Sequence, residues 1–151
     1  MRISVASDMD TPAARAVVEE LRRRGHEPVV HGALADGERT DWAWACERAA
    51  RDVAEGDAEQ GIVCCWTGTG ASIAANKVVG IRAALCGDAE TARGARTWND
   101  ANVLALSLRT TSEPLLEEIL DGWFATGPSA DPEDRANVEH IDQLDSARAR
   151  T

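Results

Sequence analysis

The chain has 151 residues, 44% of them apolar, and 16 basic against 26 acidic side chains give a net charge of -10. That size suits one domain with its own core, and the negative field argues against nucleic acid or an anionic membrane as partner. No apolar run approaches the roughly 18 residues of a membrane span, the N-terminal MRISVASD reads as a strand and not a signal peptide, and Cys46, Cys64, Cys65 and Cys86 lack metal-type spacing, so the sequence predicts a cytosolic protein with free thiols.

Strand-like and helix-like segments alternate along the chain in the pattern of a parallel βαβ sheet. Residues 2–7 form the first strand, and 11–26 read as a helix with Thr11 as N-cap, Pro12 in the first turn and Gly25 as its stop. A short strand at 27–32, a helix at 40–56 and a very apolar, hence central, strand at 60–66 follow, with Cys64 and Cys65 pointing to opposite faces. A third helix starts inside GASIAANKVVG; then come a strand at 81–87, a helix near ETARGARTW, a strand at 102–109 and a helix at 112–126. The tail from 127 to 151 opens with loop chemistry and ends in a helical pattern too polar to bury itself, so it should lie on something, such as a partner subunit.

The stretch CCWTGTGASIAANK, residues 64–77, carries the chemistry. Its turn follows the carboxyl end of the central strand, where open parallel sheets collect ligands. Gly68 and Gly70 permit close approach, so successive amides can converge on an oxygen anion where the next helix begins. The pattern is not a nucleotide fingerprint: the third Rossmann glycine is absent and Lys77 lies too far along for a phosphate-binding loop. Cys65 precedes the cradle, where amides and helix dipole favour a thiolate able to move a proton beside a stabilised enediolate. From spacing alone it reads first as a small buried hydrophobe at a strand end, since unreactive buried cysteines are common.

The run GTGASIAANKVVGIRAALCGDAETARGARTWNDANVLALSLR, residues 68–109, resembles the ribose-5-phosphate isomerase B family, which includes the galactose-6-phosphate isomerase subunits. The resemblance rests on the cysteine-threonine-glycine turn, S-I-A-A-N-K, G-I-R-A, N-D-A-N and V-L-A-L with its closing arginine, and the order of elements agrees to about residue 126. It implies a Rossmann-like three-layer α/β/α sandwich with a five-stranded parallel sheet, forming a homodimer or a dimer of such dimers, with sites completed across the interface. It further implies aldose–ketose isomerisation of a small carbohydrate phosphate through a cis-enediol, with no metal or organic cofactor. Cys65 falls on the family's base and Thr67 on the substrate-contacting threonine; Gly68, Thr69 and Gly70 fall on the oxyanion turn. Asp8, Ser72 and Asn99 match positions lining the sugar pocket, and Arg109 matches one near the phosphate. Members lacking the cysteine place a glutamate where this chain has Ala71, which leaves Cys65 as the base candidate.

Several positions depart from that pattern. Met9 and Trp98 replace histidines, the second of which opens the sugar ring in the family, and neither replacement can exchange a proton. His26, His31 and His140 match no catalytic position and read as solvated surface residues. Glu133 and Asn137 stand where two phosphate-clamping arginines are expected, and Arg135 would leave a different helix face. Trp66 replaces a glycine beside the base, and Trp42, Trp66 and Trp98 suggest aromatic walls in place of polar recognition, while Trp42 and Trp44 read equally as interface residues. Three functions follow: an isomerase or epimerase of the family type on a non-standard substrate with a weaker phosphate grip, such as a sugar derivative, a short open-chain keto-phosphate or a polyol aldehyde; a genuine ribose-5-phosphate isomerase; or a non-catalytic ligand-binding relative.

Overall fold

A computed structural model describes residues 1–151. Its elements are β1 (Arg2–Ser7), α1 (Pro12–Arg23), β2 (Glu27–Gly32), α2 (Trp42–Glu55), β3 (Gln60–Cys65), α3 (Thr69–Asn76), β4 (Ala83–Leu85), α4 (Ala89–Asn99), β5 (Val103–Ser107), α5 (Glu113–Phe124) and α6 (Pro132–Ala149). All strands pair in parallel in the order β2-β1-β3-β5-β4. The expected α/β sandwich is therefore the observed fold, with its topological switch between β1 and β3.

Helix starts follow the local chemistry. The Thr11 and Asp88 side chains accept the amides of Ala14 at 3.1 Å and Thr91 at 2.7 Å, and Ser112 and Asp131 do the same for α5 and α6. Gly56, at φ 84°, ends α2 in the left-handed conformation.

The two faces of the sheet are built differently. Ile3, Val5, Ile62, Cys64, Leu104 and Leu106 pack against α1, α4 and α5 through large groups such as Leu21, Ile119, Leu120 and Trp123. Ala6, Val63, Cys65, Val103 and Ala105 face α2 and α3, which answer with Ala45, Cys46, Ala49, Ala50, Ala71 and Ala75. Small side chains on both sides let these two helices lie close to the sheet, as dense packing requires.

The fourth strand is shorter than the expected 81–87. It is an edge strand, and the Asn76 side chain takes both outward backbone groups of Ala83, accepting its N–H at 2.8 Å and donating to its carbonyl at 2.9 Å. That closes the edge as another strand would. The fifth strand likewise stops at Ser107, and the Leu108 and Arg109 amides bond onward to the Cys65 and Trp66 carbonyls, both at 2.9 Å.

Helix α6 has no buried residue and is tied to its own chain by polar contacts. The Gly80 amide donates to Asp145 at 2.8 Å, Arg82 pairs with Asp142 at 3.1 Å and Arg148 donates to the Lys77 carbonyl at 3.3 Å. Ile141 and Leu144 on this helix remain exposed. No helix is long and apolar enough to cross a membrane.

Candidate active site

Strand alternation delivers Cys65 to the end of β3 on the alanine-lined face, 6% exposed. Its sulfur accepts the Ala71 N–H, in the first turn of α3, at 3.4 Å. The Thr69 and Gly70 amides precede that helix's own hydrogen-bond ladder, so they are available to an acceptor outside it. Gly68 forms the entry at φ 77°, and a Cβ there would sit 2.5 Å from Leu85 Cδ1 and 2.9 Å from the Leu106 carbonyl carbon, so glycine is required twice over.

The turn is pinned from β5. The Trp66 carbonyl accepts both the Arg109 amide at 2.9 Å and the Ser107 hydroxyl at 3.0 Å, and the Thr67 and Thr69 hydroxyls lie 2.7 Å apart. Thr67, Ser107 and Arg109 line a hollow of about 270 Å³ beside this turn. Arg109 is exposed and has no carboxylate partner, so its charge is free for an anion. Ser107 is a support that sequence reasoning missed; its signal was a hydroxyl at the carboxyl end of an otherwise apolar strand.

Across the switch point, Asp8 follows β1. Burial pushes its carboxyl up against the effect of a backbone hydrogen bond, and its Oδ1 is buried without a partner. Met9 is exposed, its backbone held by the Ser7 hydroxyl. Trp42, at the start of α2, lies on Gly70: a Cβ there would come within 2.9 Å of the indole. Trp66 is exposed on the same rim and Ser72 is half-buried one turn into α3. Trp44 is apart from this rim, with the Arg39 guanidinium stacked 3.5 Å above its ring.

Trp98 and Asn99 lie elsewhere. Parallel connections return each helix from the carboxyl edge to the amino edge of the sheet, so the end of α4 lies at the opposite end of the chain's own sheet from Cys65. There Trp98 and Asn99 line a groove of about 500 Å³ with Asn76, Arg82, Asn137 and His140. Arg82 is already engaged by the Asp100 carbonyl at 2.8 Å and by Asp142. Arg135 lines a neighbouring hollow on the other side of Val138, with Glu139 and Asp142.

His31 is not a solvated surface residue. It is buried between Asp52, at 2.6 Å from Nε2, and Glu38, at 3.1 Å from Nδ1, while the Ser4 hydroxyl donates to Asp52 at 2.8 Å. Burial opposes ionisation of Glu38, but the Gly32 amide and the imidazole outweigh it and hold the carboxyl below its usual range. The cluster ties the loop before α2 to the sheet. Its sequence signal was Asp52, a charge on the apolar stripe that continues from Ala45 and Ala49. His26 is half-buried, stacked on Phe124 at 4.6 Å, and His140 is exposed.

The sequence profile described as Ribose/Galactose Isomerase matches residues 3–142. The chain belongs to the ribose/galactose isomerase family. It is 37% identical over 145 residues to the galactose-6-phosphate isomerase subunit LacB of Clostridium acetobutylicum, covering 95% of this chain and 83% of that one. It is 41% identical over 108 residues to ribose-5-phosphate isomerase B of Escherichia coli, covering 72% of each chain. The solved structure of Clostridium thermocellum ribose-5-phosphate isomerase B superposes with a TM-score of 0.87 at 34% identity, covering 98% of this chain and 99% of that one. As a ribose/galactose isomerase family member the chain is a sugar-phosphate aldose–ketose isomerase.

Proposed function

We propose that Cys65 is the base of this isomerase and that the α3 amides hold the charge it creates. The thiolate takes the proton from the carbon next to the aldehyde, and the electron pair left behind forms the C=C bond of a cis-enediolate. The negative charge moves to the former carbonyl oxygen, where the Thr69 and Gly70 amides meet it. Within the cis-enediolate the proton on the second oxygen passes to the former carbonyl oxygen; the second oxygen's electron pair then forms the ketone C=O as the thiol returns its proton to the former aldehyde carbon, and the ketose results. The observation that carries this reading is the 3.4 Å hydrogen bond from the Ala71 amide to the Cys65 sulfur, a contact that strengthens when sulfur is negative. Thr67 orients the substrate from beside the base. Asp8, with its unpartnered oxygen, and Ser72 are offered to its hydroxyls, and Met9, Trp42 and Trp66 wall its apolar faces.

The second half of the site comes from a second copy of the chain. Trp98 and Asn99 reach a substrate held at Cys65 only if they are another subunit's, and the exposed Trp98, Ile141 and Leu144 give that subunit an apolar surface to cover. The phosphate is gripped by Arg109, without the paired arginines that Glu133 and Asn137 replace. The substrate is therefore a sugar phosphate held mainly by its carbon chain, and pentose phosphates are turned over with a weaker grip on the phosphate than the paired arginines would give. The test is carbon-bound proton exchange with deuterated water, using ribulose 5-phosphate and shorter ketose phosphates. Wild type should exchange, and Cys65→Ala should be slower by about 10²- to 10⁴-fold, the range for a general base. Undiminished exchange in Cys65→Ala would remove the cysteine mechanism.

A further inference from the structure

We propose that His140 is the proton shuttle that opens the ring of a cyclic substrate; this rests on the preceding reading, in which a second copy brings the Trp98 end of the molecule to Cys65. Positions 9 and 98 hold methionine and tryptophan, so neither can pass a proton between two oxygens. The groove that carries Trp98 and Asn99 nevertheless contains an imidazole. His140 lies one turn beyond Asn137 on α6, at the i+3 spacing that puts both on one face, and both line the groove with Trp98 and Asn99.

The chain's other imidazoles are engaged. His26 is stacked on Phe124 and lies 3.3 Å from the N-terminal amine, and His31 is fixed between two carboxylates. His140 is exposed into the groove, without a hydrogen bond or ion pair to its own chain. The charged groups lining that groove are Asp134, from α6, and Arg82, whose guanidinium is tied to Asp100 and Asp142. A histidine ring can take up a proton at one nitrogen and return it, as both halves of a proton relay need.

The step balances with one imidazole. Neutral His140 takes the proton from the anomeric hydroxyl, the oxygen's electron pair forms the C=O bond, and the bond from the anomeric carbon to the ring oxygen breaks. The imidazolium then gives its proton to that ring oxygen, regenerating the neutral ring and leaving an open-chain aldehyde for Cys65.

The test compares the two directions of one reaction in the full-length protein. Ribose 5-phosphate is a closed furanose, whereas ribulose 5-phosphate stays open because the hydroxyl that would close its five-membered ring carries the phosphate. At enzyme concentrations where wild-type turnover outruns spontaneous ring opening, His140→Asn should convert ribose 5-phosphate about 10²-fold more slowly, a usual contribution of a general acid–base group. It should leave the initial rate from ribulose 5-phosphate within about twofold. The variant's rate on ribose 5-phosphate should also stop rising with enzyme concentration once spontaneous ring opening limits it, which a merely structural role would not produce. His140→Gln should repeat the pattern. Equal loss in both directions, or no loss from the ring form, overturns the assignment; with Cys65→Ala inactive in both directions, the isomerase reading would still stand. A wild type inert on both sugars overturns that use of the site and this assignment with it.

Discussion

Cys64 and Cys65 are neighbours in sequence, and the two faces of the sheet put them in different surroundings. Cys64 lies among Leu104, Leu106 and Ile119 on the aliphatic face, fully buried, and burial pushes its thiol far up. Cys65 lies on the alanine face, where small side chains let α3 come close enough for a backbone amide to reach its sulfur. One face is a solvent-free core; the other is a close-packed support that ends in the candidate site. Alternation along a strand thus separates a thiol inside the aliphatic core from one beside the candidate site with no change of residue type.

The largest expected break in this contrast is alkaline. Burial pushes Cys46 up to about 12 and, with the Asp88 charge, Cys86 up to about 11, and it raises Cys64 as well. Below an unfolded-chain value near 9 both states keep these protons and the full stability is present. Above it only the unfolded chain ionises, so stability falls as pH rises, until it passes the folded values. Each thiol should contribute a loss of up to about 1.4 kcal/mol per pH unit, roughly 4 kcal/mol per unit for the three together. The chain has no tyrosine and a single lysine, Lys77, so cysteines make up most of its alkaline-titrating side chains other than arginine. Urea midpoints under reducing conditions should show this slope, and Cys46→Ala with Cys86→Ala should remove about two-thirds of it. A flat profile across that window would mean the thiols are open to water.

Core substitutions sharpen the same contrast at a smaller scale. On the aliphatic face Leu120→Ala leaves a cavity and should cost about 2–5 kcal/mol. On the alanine face the sensitive change is the opposite one: Ala49→Val has no room and should cost about 1–3 kcal/mol. Isomerase activity should fall more in the second variant at equal folded fraction, because α2 carries Trp42 to the glycine turn. Equal tolerance of added volume on both faces would show that the alanine face is loosely packed.

Much of this was legible in the sequence, and the exceptions have physical reasons. Period-2 alternation placed Cys64 and Cys65 on opposite faces, and the cap Thr11 marked the start of α1, because both are local effects. The length of β4 was not legible, since it depends on Asn76, a distant side chain, taking the edge of Ala83. The burial of His31 required three residues from different elements, Ser4, Glu38 and Asp52, to converge. The glycine turn was legible as an anion cradle because its spacing is itself the structure. The separation of Trp98 from Cys65 follows from chain direction and could have been read from the helix order. The share of the groove held by His140 could not, because it depends on how α6 docks through Asp142 and Asp145.

The smallest effect concerns the contact between α2 and α3 at the carboxyl edge. A Cβ on Gly70 would lie 2.9 Å from Trp42 Cε3 and 3.0 Å from Cδ2, closer than van der Waals packing permits. The indole is 44% exposed, so it can swing outward instead of straining the backbone. Gly70→Ala should therefore cost about 1 kcal/mol or less, while shifting tryptophan emission toward that of a more solvated ring. In a Trp42→Ala background the clash is gone and the same change should be neutral or slightly stabilising, since alanine is preferred to glycine in a helix by about 0.5–1 kcal/mol. The double-mutant cycle should give a coupling of at least about 0.5 kcal/mol. If Trp42 also walls the substrate, Gly70→Ala should raise KM more than it lowers kcat, because the displaced ring changes binding while the sulfur and its amide stay in place. A coupling of zero would mean that the indole does not rest on the turn, and the alanine face would then end before it reaches the site.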